Sequence, residues 1–356
     1  FTFIRVPYLM SHKDEEAIYK EQVRHVASHS RFEPHALEAI CMWSVMSRMR
    51  APSARNYADE RLGSIAERLN PLEKARLYAE GATPEDLDSE SKQLLRTNAD
   101  DIAQEFENDG MYEGKFGISP REVKQLLYDI ADQHRHVTFV EALEALAELA
   151  ERKQEYDFLN ITPQGDFHSP RSQADLIEAR QLDILDSEVR DSLGLVDGRS
   201  YEDYIAKYVV QASALIKGEK VKNPVTAKFE APDAYFIKEF EANVALSEPA
   251  ERFRSNLISR LGAFALDHPG KPIVYAEVFS DIVRLLQESF RKEQAKLIAR
   301  VGKGLVLYLQ ELKDGVKSAS LTQENRQLIQ DILKGMQEKH GYSRDGAIHL
   351  LQHLLK

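Results

Sequence analysis

An almost wholly helical fold is predicted for this sequence of 356 residues. Three observations carry the prediction. Apolar residues recur at helical spacing along most of the chain, two Ser/Thr-x-x-Glu start signals stand directly before such runs, and the alternating pattern of half-buried strands is nearly absent. With 43% hydrophobic residues the chain can bury a sizeable core, and its length fits two or three domains.

Phe1 to Tyr8 reads as a strand, and a beginning at Phe1 suggests a piece of something longer. Asp14 to His29 places Ala17, Ile18, Val23 and Val26 near one face of an amphipathic helix. Pro34 to Met49 is apolar nearly all round, so the second helix is predicted to be buried. Helices follow over Arg55 to Leu69 and Pro71 to Glu80, where Gly81 stops the run, and a polar helix over Pro84 to Asn108. Ser119-Pro120-Arg121-Glu122 and Thr138-Phe139-Val140-Glu141 are capping boxes, in which the hydroxyl accepts a first-turn N–H and the Glu reaches back to the cap's own N–H. Pro120 adds to the first signal, because the opening helical position needs no N–H.

Tyr156 to Gln173 breaks the periodicity with Pro163, Gly165 and Pro170, and is the expected domain boundary. Further helices are predicted near Ala174 to Leu193, Tyr201 to Ile216, Asp233 to Val244, Glu248 to Leu266, Tyr275 to Leu312, Thr322 to Lys339 and Arg344 to Leu354. Lys217 to Phe229 is the exception, where Val221, Val225 and Phe229 around Asn223-Pro224 suggest a small hairpin.

The chain carries 58 acidic against 47 basic residues, a net charge of -11, which argues against broad nucleic-acid binding because phosphate neutralisation needs surplus Lys and Arg. A single cysteine, Cys41, excludes an intrachain disulfide and a cysteine-based zinc cluster, and fits the cytoplasm. Its neighbours Met42 and Trp43 make it a core residue rather than a nucleophile. No apolar run approaches the length of a membrane span.

No phosphate-binding loop of the G-x-x-x-x-G-K-[ST] form occurs. Gly302-Lys303-Gly304 lies inside a helical pattern, where small residues serve close packing, and Pro269-Gly270-Lys271-Pro272 is a look-alike. Kinase loops are absent too: His134-Arg135-His136 lacks the catalytic Asp, and Gly165-Asp166-Phe167 has the wrong order. No G-x-S-x-G elbow marks a nucleophile. His25 and His29 share a helix face without an evident third metal ligand, so a solvated pair is the simpler reading and no metal is expected. Lys217, Lys220 and Lys222 form one basic loop, either a solvated turn or a site for an anion or partner. Arg121 sits in the first turn of a well-capped helix, where backbone N–H groups and the dipole favour an anion and the guanidinium adds a fork of donors. Local physics allows equally a surface arginine paired with a carboxylate.

Ile4 to Glu21, Pro34 to Pro52, Pro71 to Gly81 and Gly117 to Arg121 (GISPR) together resemble the PrkA family of bacterial serine protein kinases. So do Lys217 to Asp233, Phe253 to Asp267 and the closing Gly341-Tyr342 with its short helix. The resemblance implies an AAA+ ATPase module followed by a helical domain labelled as the kinase region. Residues 1–10 would then end the AAA+ core, 11–155 form its helical lid, 156–173 a linker, and 174–356 the C-terminal helical domain. ATP and Mg would bind the upstream core, which is this segment's partner in the same chain, and none would be held tightly by the segment itself. Arg121 falls where such lids place a second sensor arginine. A protein substrate is implied, with copies of the same protein as a further possible partner, and neither nucleic acid nor membrane. An AAA+ machine whose C-terminal helices bind substrates without phosphotransfer is the alternative, and regulated proteolysis a third reading with no dyad visible in sequence.

Overall fold

Asn70, Ser119 and Thr138 each open a helix with a reciprocal cap, the last two as the sequence predicts. Such a cap contributes about 1 kcal/mol, because it satisfies N–H groups that the helix cannot. The computed structural model describes residues 6–26, 30–192, 199–222, 229–244, 246, 249–267, 273–314 and 320–354. Among these the fold is all-α: sixteen helices, two 3-10 turns and four two-residue strands.

The chain divides into two units, Phe1–Glu188 with Leu333–Lys356, and Val189–Ile332. The first holds α1 (His12–Val26), β1 (Arg31–Phe32), α2 (Ala36–Met46), α3 (Glu60–Ala66), α4 (Pro71–Glu80), α5 (Ser89–Thr97), α6 (Ala99–Gln104), α7 (Pro120–Gln133), β2 (His136–Val137), α8 (Phe139–Ala150) and most of α9 (Pro170–Ser192). The second holds α10 (Arg199–Lys217), β3 (Val221–Lys222), β4 (Phe229–Glu230), α11 (Ala234–Val244), α12 (Ala250–Asp267), α13 (Tyr275–Val278), α14 (Ser280–Asp314) and the first part of α15 (Gln323–His340). The end of α15 and α16 (Arg344–Leu354) belong to the first unit.

In the first unit α2 is the central helix, buried on all sides as its apolar sequence predicts and packed against α1, α4 and α8. Trp43 donates its indole N–H to Pro170 O at 3.1 Å and meets the edge of Phe158. The segment 156–173 is therefore no exposed linker. Its Pro and Gly residues do break the helix, but Phe158, Leu159 and Phe167 are buried, and the division into units falls later, in α9 and α15. Periodicity reports where a helix ends, not whether the following chain packs.

Other differences have local causes. The helix expected over 55–69 is a 3-10 turn, Ala54–Asn56, followed by α3, because the Asp59 carboxylate accepts the Arg61 and Leu62 N–H groups and starts a new helix. A side chain at Gly63 would lie 2.7 Å from Ala54 O, so glycine lets the two pieces pack. The polar helix over 84–108 is two helices broken at Asn98. A parallel pair, Arg31–Phe32 with His136–Val137, was not anticipated. Of the strand expected at 1–8, residues 1–5 lie outside the described residues, and Val6 to Tyr8 form no strand.

The second unit is built on Tyr201, Ile205, Tyr208, Phe236, Ile237, Phe240, Phe279, Ile282 and Leu286. Tyr208 stacks on Phe240 at 3.9 Å and donates to Glu241, which also takes a two-pronged bond from Arg254. The expected hairpin appears as the antiparallel pair β3–β4, with Val221 opposite Glu230. A side chain at Gly304 in α14 would lie 3.2 Å from Ile329 and 3.6 Å from Asn325 and Leu321, which is the close packing its sequence context suggests.

Candidate functional site

Helix α7 begins with Ser119 accepting the Glu122 N–H at 3.4 Å while Glu122 accepts the Ser119 N–H at 2.6 Å. Neither contact involves the Arg121 side chain. That side chain is exposed, and among the described residues no hydrogen bond or ion pair engages it. Among the described residues the surface ion pair is thus not formed, and Arg121 belongs to a first turn, where an anion is favoured.

The turn is rigidly seated. Ile118 is fully buried; its N–H donates to Ser47 Oγ at 3.1 Å, and its carbonyl accepts from Arg48 Nε and Nη2 at 3.0 and 2.9 Å. Tyr19 donates to Pro120 O at 3.2 Å. Gly117 adopts φ +119, and a side chain there would lie 2.5 Å from Arg48 Cγ, so only glycine allows the chain to cross Arg48 this closely. Arg48 in turn pairs with Glu15, both almost fully buried. Sequence reading missed this pair, since a buried charge and a surface charge look alike in sequence; the one clue is Arg48 standing just past the end of a largely apolar helix.

The basic loop takes a different form. Lys217 ends α10 and is exposed, as is Lys220, while Lys222 lies in β3 and its side chain is outside the described residues. The His29 side of the His25/His29 pair lies outside the described residues, as does the His25 side chain, and Pro269 to Pro272 likewise. Cys41 is fully buried, and burial pushes its thiol well up, which leaves it unreactive.

Two further constellations appear only in three dimensions. His12, Glu38 and Glu80 bring potential metal-ligand atoms within 4.8 Å of one another. Arg180 already reaches Glu38 at 3.0 Å and Glu80 at 3.9 Å, and His12 Nδ1 is buried without the partner that normally fixes a ligating histidine, so the group reads as an ion-pair cluster. Ser343 Oγ stands 3.1 Å from His136 Nδ1, with Glu33 beside both. Its hydroxyl donates to Glu33 and accepts the Gly346 N–H at 3.0 Å, so Ser343 serves as the cap of α16.

His35 makes the clearest titrating site. Its Nδ1 is 3.0 Å from Glu38 and its Nε2 2.9 Å from Glu188, a pairing that needs both ring nitrogens protonated. Burial alone would lower its pKa, but the bonds to Glu188 and Glu38 outweigh that and push it up to about 9. Tyr342 and His340 also face Glu188, and Arg180 faces Glu38. A folded value above the unfolded 6.5 means that the contribution is whole below pH 6.5 and is lost as pH rises through about 9. Unfolding stability is expected to fall across that window by at most about 3 kcal/mol, and His35→Gln to flatten the fall; a wild-type profile that is flat from pH 6.5 to 9 would contradict the pairing.

Fold and geometry together define an all-α protein of two helical units, the first of which carries an exposed arginine at a capped helix start. The chain belongs to the PrkA family, since the family model described as the PrkA serine protein kinase C-terminal domain matches residues 72–353. That match opens in α4 and so runs across 156–173 without a break there. A curated relative, the ATP-dependent protease PrkA of Bacillus subtilis (strain 168), is 22% identical over 355 residues, covering 98% of this chain and 48% of the relative. The chain thus spans about half the length of that protein. No solved structure matches it. Among the described residues no helix is long and apolar enough to cross a membrane.

Proposed function

We propose that this chain is the nucleotide-sensing lid and C-terminal helical domain of an ATP-dependent serine protein kinase of PrkA type, whose phosphate-binding loop and Mg site belong to an upstream AAA+ core. Arg121 is the observation that carries the reading: an exposed guanidinium without a partner among the described residues, held at the first turn of a helix with a reciprocal cap. Placed against the terminal phosphate, it would offset charge that builds during transfer. The lid assignment covers residues 11–155, and the natural setting is the cytoplasm, with a protein as substrate and further copies of the same protein as a second class of partner.

A second reading is favoured by the name of the Bacillus subtilis relative, an ATP-dependent protease. Here ATP drives work on a protein substrate and the C-terminal helices bind it without phosphotransfer. Full-length protein with γ-labelled ATP and casein as the protein probe separates the two. The kinase reading predicts label on protein serine, no label or phosphate release from residues 1–356 alone, and no casein fragments. Phosphate release with casein degradation and no labelled protein would overturn it in favour of the second.

A further inference from the structure

We infer that Arg48 is a positioning residue that ties the segment Pro7 to Met10 to the turn bearing Arg121, so that movement of one moves the other; this rests on the reading of Arg121 given above. Every N–H of the Arg48 guanidinium has an acceptor. Nε donates to Ile118 O at 3.0 Å; Nη1 to Leu9 O at 2.8 Å and Glu15 Oε2 at 3.0 Å; Nη2 to Glu15 Oε1 at 2.9 Å, Ser44 Oγ at 2.7 Å and Ile118 O at 2.9 Å. One planar group thus joins the end of α2 to two stretches distant from it in sequence, Leu9 to Glu15 and Ile118.

The backbone repeats the connection. Tyr8 N–H donates to Gly114 O at 2.8 Å, and Gly114 N–H donates to Arg48 O at 3.2 Å. Gly114 has φ +76, and a side chain on it would lie 2.8 Å from Pro7 Cβ and 3.0 Å from Tyr8 O, so the incoming segment lies flat on the loop that leads to α7. From Ile118 to Arg121 there are only the cap Ser119 and the stiff Pro120. No slack separates the Arg48 fork from the exposed guanidinium.

A buried Arg–Glu pair costs desolvation and is seldom a gain over apolar packing; what it can supply is a fixed geometry. The fork of an arginine can hold the carbonyls of Leu9 and Ile118 and a carboxylate at once, whereas a lysine, as a point charge, cannot. Displacing Leu9 must therefore strain Ile118, and through it the first turn of α7. In the proposed setting this would let the position of the upstream core dictate whether Arg121 points at nucleotide.

The test uses the full-length protein, with ATP turnover, melting temperature and amide exchange read together. Arg48→Lys is expected to lower kcat about tenfold at nearly unchanged KM, and Ser47→Ala, which removes the acceptor of the Ile118 N–H together with the Ser47 hydroxyl's own bond to Ser44 O, about threefold. In an Arg121→Ala background neither should lower kcat further, and in Arg48→Lys exchange at Tyr8 and Ile118 should rise together. An unchanged kcat in folded Arg48→Lys, or the same fold-loss with and without Arg121, would overturn the coupling. If Arg48→Lys does not fold, the Ser47→Ala comparison decides by the same criterion. Should Arg121→Ala prove silent, the sensor reading falls by itself. The mechanical tie is then decided by exchange: joint rise at Tyr8 and Ile118 sustains it, and a rise at one alone refutes it.

Discussion

Replacing Glu113 by alanine is expected to destabilise the first unit by about 3–5 kcal/mol, the usual cost of breaking one side of a buried charge pair. Lys74 Nζ lies 2.5 Å from Glu113 and 2.9 Å from Arg50 O, with the lysine side chain fully buried and the glutamate nearly so. Glu113 also accepts the Arg50 N–H at 2.7 Å and the Tyr78 hydroxyl at 3.1 Å. Removing the carboxylate leaves the buried ammonium without its counter-charge and the Arg50 N–H without its acceptor, while Tyr78 keeps Ile102 O. Lys74 has aromatic faces near it, Phe106 at 5.6 Å and Tyr78 at 5.7 Å, but these cannot replace a carboxylate. Against a typical domain stability of about 5–15 kcal/mol, the loss is large. Because Glu113 precedes Gly114, the loop that seats α7 should loosen as well. Chemical denaturation measures the change, and Lys74→Met with Glu113→Ala should recover part of it. A loss below about 1 kcal/mol in Glu113→Ala would mean that water reaches the pair.

Helix starts were legible because their signals are local. Ser119, Pro120 and Glu122 carry all that is needed to begin α7, and Pro71 and Gly81 bound α4 in the same way, Gly81 through its left-handed φ of 63. The buried character of α2 was legible from its apolar run, and the hairpin from Val221 and Phe229 around a turn-prone dipeptide. What could not be read depends on residues far apart in sequence. The pairing of β1 with β2 spans two residues on each side, too short for a pattern, and the packing of Phe158 and Phe167 overrides the loop composition around them. The site divides along the same line. The place of Arg121 at a helix start could be read, since that context is contiguous, but the seat of the turn could not, because Leu9, Glu15, Arg48 and Ile118 meet only after folding.

Arg121→Ala in the full-length protein is expected to lower ATP turnover at least about tenfold, the scale of a lost charged contact to a transition state. Folding should be nearly untouched. The side chain is exposed, and the cap of α7 is made by Ser119 and Glu122, so the change in stability should stay within roughly 0.5 kcal/mol. Ser119→Ala is the useful contrast: it removes the cap at a cost of about 1 kcal/mol and could reduce turnover only by misplacing the helix. On the proposed reading magnesium and ATP should still bind in Arg121→Ala, since that reading puts the phosphate cradle and metal ligands in an upstream core. The measurement that tests the account most directly is therefore kcat for ATP hydrolysis by full-length wild type and Arg121→Ala, with melting temperatures taken on the same samples. The account predicts a fall of at least about tenfold at an unchanged melting temperature; unchanged turnover, or a fall accompanied by a marked loss of thermal stability, would contradict it.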